Sequence, residues 1–298
     1  MRNREVYRTT GKISLPHFFR SLWSLTNRDL KKWYLAPAIL ILSLIQPVVW
    51  LGLFGKAFNF GSIFTSSSFN IPGLSIPKSV LDSLGNTLLT QTFGTTSYFS
   101  FLAVGMLAFI VLFTSMFSGM SVVWDRRFGF LDKLLTTPVP RGSIVLSKIL
   151  NSVIRALIQA AVVLVIAVLL GMSLSHISVV GVLITFGALF LLAFGMSSLF
   201  VLLALHSKDW QSVTAIANLL NLPLLFTSNA FFPVSAMPSW LRVIANVNPV
   251  SFAIDIGRNA LIGIPSTMPI AYEFLYLGVF AVALGVISII LSWRLLKG

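Results

Sequence analysis

The chain has 298 residues, of which 56% are hydrophobic and only 10% charged; a soluble domain of this length needs far more polar surface to face water, so the composition points to a membrane protein. Its formal net charge is +13, with the basic residues gathered beside apolar runs, so the anionic surface of a membrane rather than nucleic acid is the partner of that charge. The chain has no cysteine, which excludes disulfides, thiolate catalysis and cysteine-based metal sites.

Residues 1–34 read as a cytoplasmic segment and residues 35–298 as the membrane domain. Within 14–32, Leu15, Phe18, Phe19, Leu22 and Leu25 fall on one helical face, and Arg20, Asn27, Arg28 and Lys31 lie largely elsewhere. That pattern predicts a helix lying on the membrane surface, or a basic flank with no further role. The first apolar run is too long for the h-region of a signal peptide.

A transmembrane helix needs about 20 mostly apolar residues. Six such runs are present, at about 35–58, 98–123, 144–171, 177–205, 211–232 and 274–296. Each must be helical, because a lone strand in lipid leaves its backbone unpaired. The expected fold is therefore an all-α integral membrane protein with six transmembrane helices. Lys and Arg concentrate in the N-terminal segment and in the second and fourth connections, which places both termini on the cytoplasmic side. Pro47 and Pro223 lie inside spans and mark bends. The first outer loop, 59–97, is rich in Ser, Thr, Gly and Asn and reads as a small exposed excursion.

The second connection, 124–141, is charged and cannot lie in lipid. Phe128, Leu131, Leu134 and Leu135 make an apolar face at helical spacing, with Asp132 and Lys133 elsewhere on the helix. Gly129 allows a sharp turn off the preceding span, and Pro138 and Pro140 end the short helix before the chain returns to the bilayer. Such an element either lies on lipid or seats an apolar knob in a soluble partner.

Two polar stripes lie inside spans. In the third, Lys148, Ser152, Arg155 and Gln159 share a face; Arg155 snorkels from its depth or serves a substrate or gating role. In the fifth, Gln211, Thr214, Asn218, Asn221 and Ser228 follow three-and-four spacing. Exposed to lipid they would go unpaired, so they meet another helix or line an aqueous pathway. Residues 233–262 are apolar yet broken by Pro233, Pro238 and Pro249, which predicts short helices dipping into the outer leaflet.

No reactive constellation emerges. His17, His176 and His206 lie on different connections, no HExxH is present, and no metal site is expected. Asp125 and Asp132 sit among Arg126, Arg127 and Lys133, which favours ion pairing over acid–base work. Gly11-Lys12 and Gly55-Lys56 lack the rest of a Walker loop, so the chain does not hydrolyse ATP by that route.

The run FGFLDKLLTTPVPR, 128–141, resembles the cytoplasmic segment of type-2 ABC exporter permeases. The stretch 218–263, with its Phe-Phe-Pro, Met-Pro-x-Trp-Leu, Asn-Pro and Asp-x-x-Arg, is similar to that family's fifth span and outer helical hairpin. The Leu-Asp-Lys and Thr-Pro-Val-Pro-Arg forms look closest to the daunorubicin-type drug-export branch; Asn229 stands where Gly is frequent. The resemblance covers nearly the whole chain.

It implies a permease half that carries no cofactor itself. It would work as a homodimer or with a paralogous permease, beside a separate ABC ATP-binding subunit that holds ATP and magnesium. Residues 126–137 would form the coupling helix, with Arg126, Phe128, Gly129, Leu131, Asp132, Leu134, Leu135, Pro138 and Arg141 coupling it to that subunit. Ser115 and Ser118 would join Gln211, Thr214, Asn218, Asn221 and Ser228 along the pathway or dimer seam. Phe232, Pro233, Pro238, Trp240, Pro249, Asp255 and Arg258 would build an outer lid over a re-entrant hairpin. The cargo would be an amphipathic drug, lipid or glycan-type compound leaving the cytoplasm. The rival reading, a membrane enzyme acting on lipid or polyprenyl substrates, needs clustered acids or histidines that the chain lacks.

Overall fold

The computed structural model describes residues 15–57, 78–137, 139–173, 177–207 and 209–295, all helices and connections. Pro138, His176, the stretch 58–77 of the outer loop and the basic residues before Leu15 lie outside the described residues. The chain is an all-α membrane protein. Helix α1 (Leu15–Tyr34) precedes α2 (Pro37–Trp50), which runs without a break into a wider π-helical segment (Leu51–Ala57). Pro47 stands inside α2, one turn before the helix widens.

A further helix, α3 (Lys78–Phe93), follows. The outer loop, expected as a small exposed excursion, thus carries a helix, most of whose described side chains are exposed. Three of its Ser and Thr side chains return a hydrogen bond to a carbonyl three or four residues back, as Thr87 Oγ1 does to Ser83 O at 2.7 Å. Hydroxyls satisfied in this way are tolerated in a helix despite low propensity.

Helices α4 (Tyr98–Arg127) and α7 (Val179–His206) form the centre. Around them pack α6 (Arg141–Leu169), α8 (Trp210–Phe226), α10 (Pro249–Ile262) and α11 (Ile270–Leu295). Side chains of α4 are buried without interruption from Tyr98 to Leu112. Between membrane helices close approach replaces the hydrophobic drive, so small residues mark the contacts. A Cβ on Gly119 of α4 would lie 2.5 Å from Phe200 O of α7, and one on Gly181 of α7 would lie 2.2 Å from Ala260 O of α10.

Side chains cap several of these helices by accepting orphan backbone N–H bonds. Ser97 takes that of Ser100, Ser178 that of Gly181, Asp209 that of Ser212 and Asn248 that of Val250. Among the described residues, four long apolar helices are able to cross a bilayer, within Ser83–Arg127, Arg141–Leu169, Val179–His206 and Ile270–Ser292. The apolar part of α2 and its π extension, Ile41–Gly55, is shorter.

The fifth run is also shorter than its sequence suggested. Its helix α8 has 17 residues and stops at Phe226, three residues after Pro223. The chain then turns, so Ser228 lies beyond the helix and donates to Leu225 O at 2.6 Å. A single 3-10 turn (Val234–Ala236) and α9 (Ser239–Ala245) lead on to α10, which ends at Gly263 with φ +70°. That left-handed conformation suits glycine.

Candidate functional site: a short helix between two spans and its supports

Between α4 and α6 the chain forms α5 (Phe130–Leu135). Gly129 makes the corner, with φ +66° and open space where a Cβ would stand. A left-handed residue between two right-handed helices redirects the chain sharply, and glycine adopts it without a steric penalty.

The four-residue apolar face divides. Leu131 and Leu134 turn inward and are buried, Leu135 is half-buried, and Phe128 is 77% exposed. Asp132 and Lys133 are exposed beside it. Leucines at this end find apolar cover within the chain itself, so two of the expected docking residues anchor α5 instead. Arg126 is half-buried at the end of α4. Its guanidinium donates to Ser207 O at 2.9 Å and Leu205 O at 3.2 Å, closing the carbonyl end of α7 as a cation there should. Arg141 begins α6 and is half-buried.

Beneath α5 lies a cluster of charges that the linear sequence did not reveal. Lys148 Nζ of α6 reaches Asp29 Oδ2 of α1 at 2.6 Å and also pairs with Asp125 of α4. Arg28 bonds Asp29 at 2.6 Å, lies 3.6 Å from Asp125, and stacks its guanidinium 3.9 Å from the centre of the Phe130 ring. Asp125 therefore pairs across helices, not with its sequence neighbours Arg126 and Arg127. Burial works to raise the Asp29 carboxyl, but Lys148 and Arg28 together outweigh it and hold the group below its ordinary range. Helix α1 is thereby tied to α4, α5 and α6 at once.

The expected seam residues also separate. Ser115 and Ser118 are buried inside the chain. Ser115 donates to Val111 O, and Ser118 donates to Ser115 O and to Ser197 O of α7. Glycine at 119 brings α7 too close for that face to meet a second subunit. On α8, Gln211 and Asn218 are exposed, Thr214 is half-buried and Asn221 is fully buried. Neither amide atom of Asn221 has a hydrogen-bond partner among the described residues. The stripe runs along the border between the helix's packed side and its free side, where Leu219, Leu222 and Phe226 are exposed.

At the other end, Arg258 of α10 is wholly buried. It donates to Asn229 O at 2.8 Å, Ala230 O at 3.0 Å and Phe101 O at 3.2 Å, and lies 3.3 Å from the Phe101 ring centre. Asp255 accepts from Asn229 Nδ2 at 2.5 Å and from Thr267 Oγ1 at 2.9 Å. The asparagine that stands in place of a frequent glycine thus has a defined bond. Pro249 is buried at the start of α10, whereas Phe232, Pro238 and Trp240 are exposed and Pro233 is half-buried. Phe232 and Pro238 border an apolar cavity of 570 Å³, lined also by Trp50, Phe54, Tyr98 and Phe231.

The geometry leaves Phe128 exposed at the α5 corner and one face of α8 exposed, with no group of three or more metal-ligating side chains among the described residues. The ABC-2 type transporter family matches residues 20–262. A relative named as a transport permease, ycf38, from Cyanophora paradoxa is 31% identical over 239 residues, covering 80% of this chain and 73% of the relative. The daunorubicin resistance ABC transporter permease protein DrrB1 of Streptomyces coeruleorubidus is 28% identical over 57% of this chain and 59% of its own. Nodulation protein J of Rhizobium leguminosarum bv. viciae is 25% identical over 67% of this chain and 75% of its own. The chain, a multi-pass membrane protein with a defined corner at α5, belongs to the ABC-2 type transporter family of permeases.

Proposed function

We propose that this chain is the transmembrane half of an ATP-driven exporter, with α1, α5 and both termini on the cytoplasmic side. In this reading it crosses the membrane six times, α2 with its π segment and α8 joining the four longer helices. A separate ATP-binding subunit seats on α5 through Phe128, Asp132 and Lys133, and its nucleotide-driven closure tilts the spans. The permease pairs with a second copy, or with a paralogous permease, along the free face of α8. The cargo is an amphipathic compound of drug, lipid or glycan type; the name of the daunorubicin resistance relative supports the drug part of that range.

The observation that carries the reading is the division of α5. Leu131 and Leu134 hold it from within, and Phe128 is left as a large apolar side chain in the open. An aromatic anchor ringed by polar groups is the usual composition of a binding hot spot. Replacing Phe128 by Asp should abolish copurification with the ATP-binding subunit while the permease still reaches the membrane in normal amount. Undiminished copurification and export would sink the docking claim.

A further inference from the structure

A second polar site lies between α1, α4 and α6, away from both α5's outer face and the α8 stripe. A cavity of 260 Å³ opens there, and three residues that line it each carry a buried nitrogen donor with no hydrogen-bond partner among the described residues: Trp33 Nε1, Asn151 Nδ2 and Arg155 Nε. Buried donors are nearly always paired, and each orphan in a native structure calls for an acceptor. Indole and guanidinium can only donate, so the missing group is an acceptor, and an anion satisfies several donors at once.

The surrounding charge agrees. Arg28, Lys32, Lys148 and Arg155 face Asp29 and Asp125, and both carboxylates are already held by Lys148 and Arg28. Arg155 lies about 10 Å deeper than Lys148 along α6, at roughly 1.5 Å per residue. Its guanidinium is 5.3 Å from the Trp33 ring, so α1 covers it on the side where it would otherwise reach water.

An apolar groove continues from the same point. A cavity of 400 Å³ shares Arg155 and Phe117 with the first and runs on between Leu42 of α2 and Phe109, Phe113 and Met116 of α4. Its polar lining groups Ser43, Thr114 and Gln159 are bonded in sequence, Thr114 Oγ1 to Gln159 Oε1 and Gln159 Nε2 to Ser43 Oγ, each at 2.5 Å. They ask nothing of a ligand. A donor-lined chamber at the membrane surface that leads into an apolar groove matches one class of molecule.

We propose that this double cavity binds an anionic phospholipid from the leaflet on the α1 side. Its phosphate accepts from Arg155, Trp33 and Asn151, and one acyl chain lies along Phe113 and Phe117. The bound lipid completes the polar seam beneath α1, so the α1–α6 contact depends on lipid charge.

The test uses the full-length permease in detergent micelles, titrated with phosphatidylglycerol or phosphatidylcholine carrying brominated acyl chains. Quenching of Trp33 is read in a protein whose other six tryptophans are replaced by phenylalanine. Both lipids present the phosphate acceptors, so the comparison reads net charge: phosphatidylglycerol should quench with an affinity about tenfold tighter than phosphatidylcholine, whose choline offsets the phosphate charge that Arg155 and Lys32 attract. Arg155→Gln should remove that preference, and Arg155→Lys, which keeps the charge, should retain part of it and serves should the glutamine variant not fold. Equal quenching by the two lipids, or a preference unchanged in both Arg155 variants, would overturn the proposal. Inorganic phosphate displacing phosphatidylglycerol at equal concentration would also overturn it, since the chain would then contribute nothing.

Discussion

The guanidinium of Arg28 lies 3.9 Å from the centre of the Phe130 ring, and this contact joins α1 to the short helix α5. Lys32 approaches the same ring at 5.8 Å. Motion imposed on α5 is therefore felt by α1 directly, as well as by α4 and α6. Replacing Phe130 by Leu keeps the apolar volume but removes the cation–π attraction, worth about 0.5–2 kcal/mol. Export per ATP hydrolysed should fall several-fold while binding of the ATP-binding subunit persists, because exposed Phe128 is untouched. Parallel transport and ATPase assays on reconstituted complex check this.

Lys148 neutralises two carboxylates from different helices and has only 6% of its side chain exposed. Lys148→Met should destabilise the permease by about 3–5 kcal/mol, the cost of leaving buried charge without its partner. Adding Asp125→Asn should recover part of the loss. Thermal unfolding in detergent reads both, and equal melting temperatures for wild type and Lys148→Met would refute the role given to the cluster.

The same cluster sets a dependence on pH. The Asp29 carboxyl titrates below the ordinary carboxylate value in the folded protein. Its contribution to stability is thus complete above that value and is lost as pH falls through the lower, folded-state value. Acid unfolding curves of Asp29→Asn should begin from a lower stability at neutral pH and slope less on the acid side than those of wild type.

Arg258 holds two carbonyls that follow the end of α8 and one of α4, those of Asn229, Ala230 and Phe101, and stacks on the Phe101 ring. A lysine carries the charge but neither the planar fork nor the stack. Arg258→Lys should therefore cost about 2–4 kcal/mol by leaving carbonyls unpaired in a buried site. Loss should appear in melting temperature and in expression level before any change in cargo preference; a variant as stable as wild type would count against this bracing role.

Asn218 and Asn221 stand one turn apart on α8 but differ in exposure, with Asn221 fully buried. A cysteine at 218 should react with a polar thiol reagent in the dissociated permease and be protected several-fold on assembly if α8 is the seam, whereas one at 221 should react slowly in both. Mass-spectrometric labelling rates check the pair, made simple by the absence of native cysteine.

Hydropathy and charge alone determined that the chain is helical, lies in a membrane and breaks out of it at α5. Lipid permits no unpaired backbone, so long apolar runs have one outcome, and Gly129 with the charges after it marks the exit unambiguously. The four long apolar helices were legible to within a few residues for the same reason. The fifth run was not, because Pro223 and the turn after Phe226 interrupt a stretch whose hydropathy continues unchanged. Tertiary structure alone decided which side of each amphipathic element is free. Leu131 and Leu134 look like a docking face in the sequence, yet neighbouring helices cover them and leave Phe128 outside. Ser115 and Ser118 look like a polar seam, yet each finds a carbonyl within its own chain once Gly119 lets α7 approach. Asp29, Asp125 and Lys148 become one charged cluster only when three helices meet. Periodicity reports the existence of a face, and the identity of what covers it is set by long-range packing.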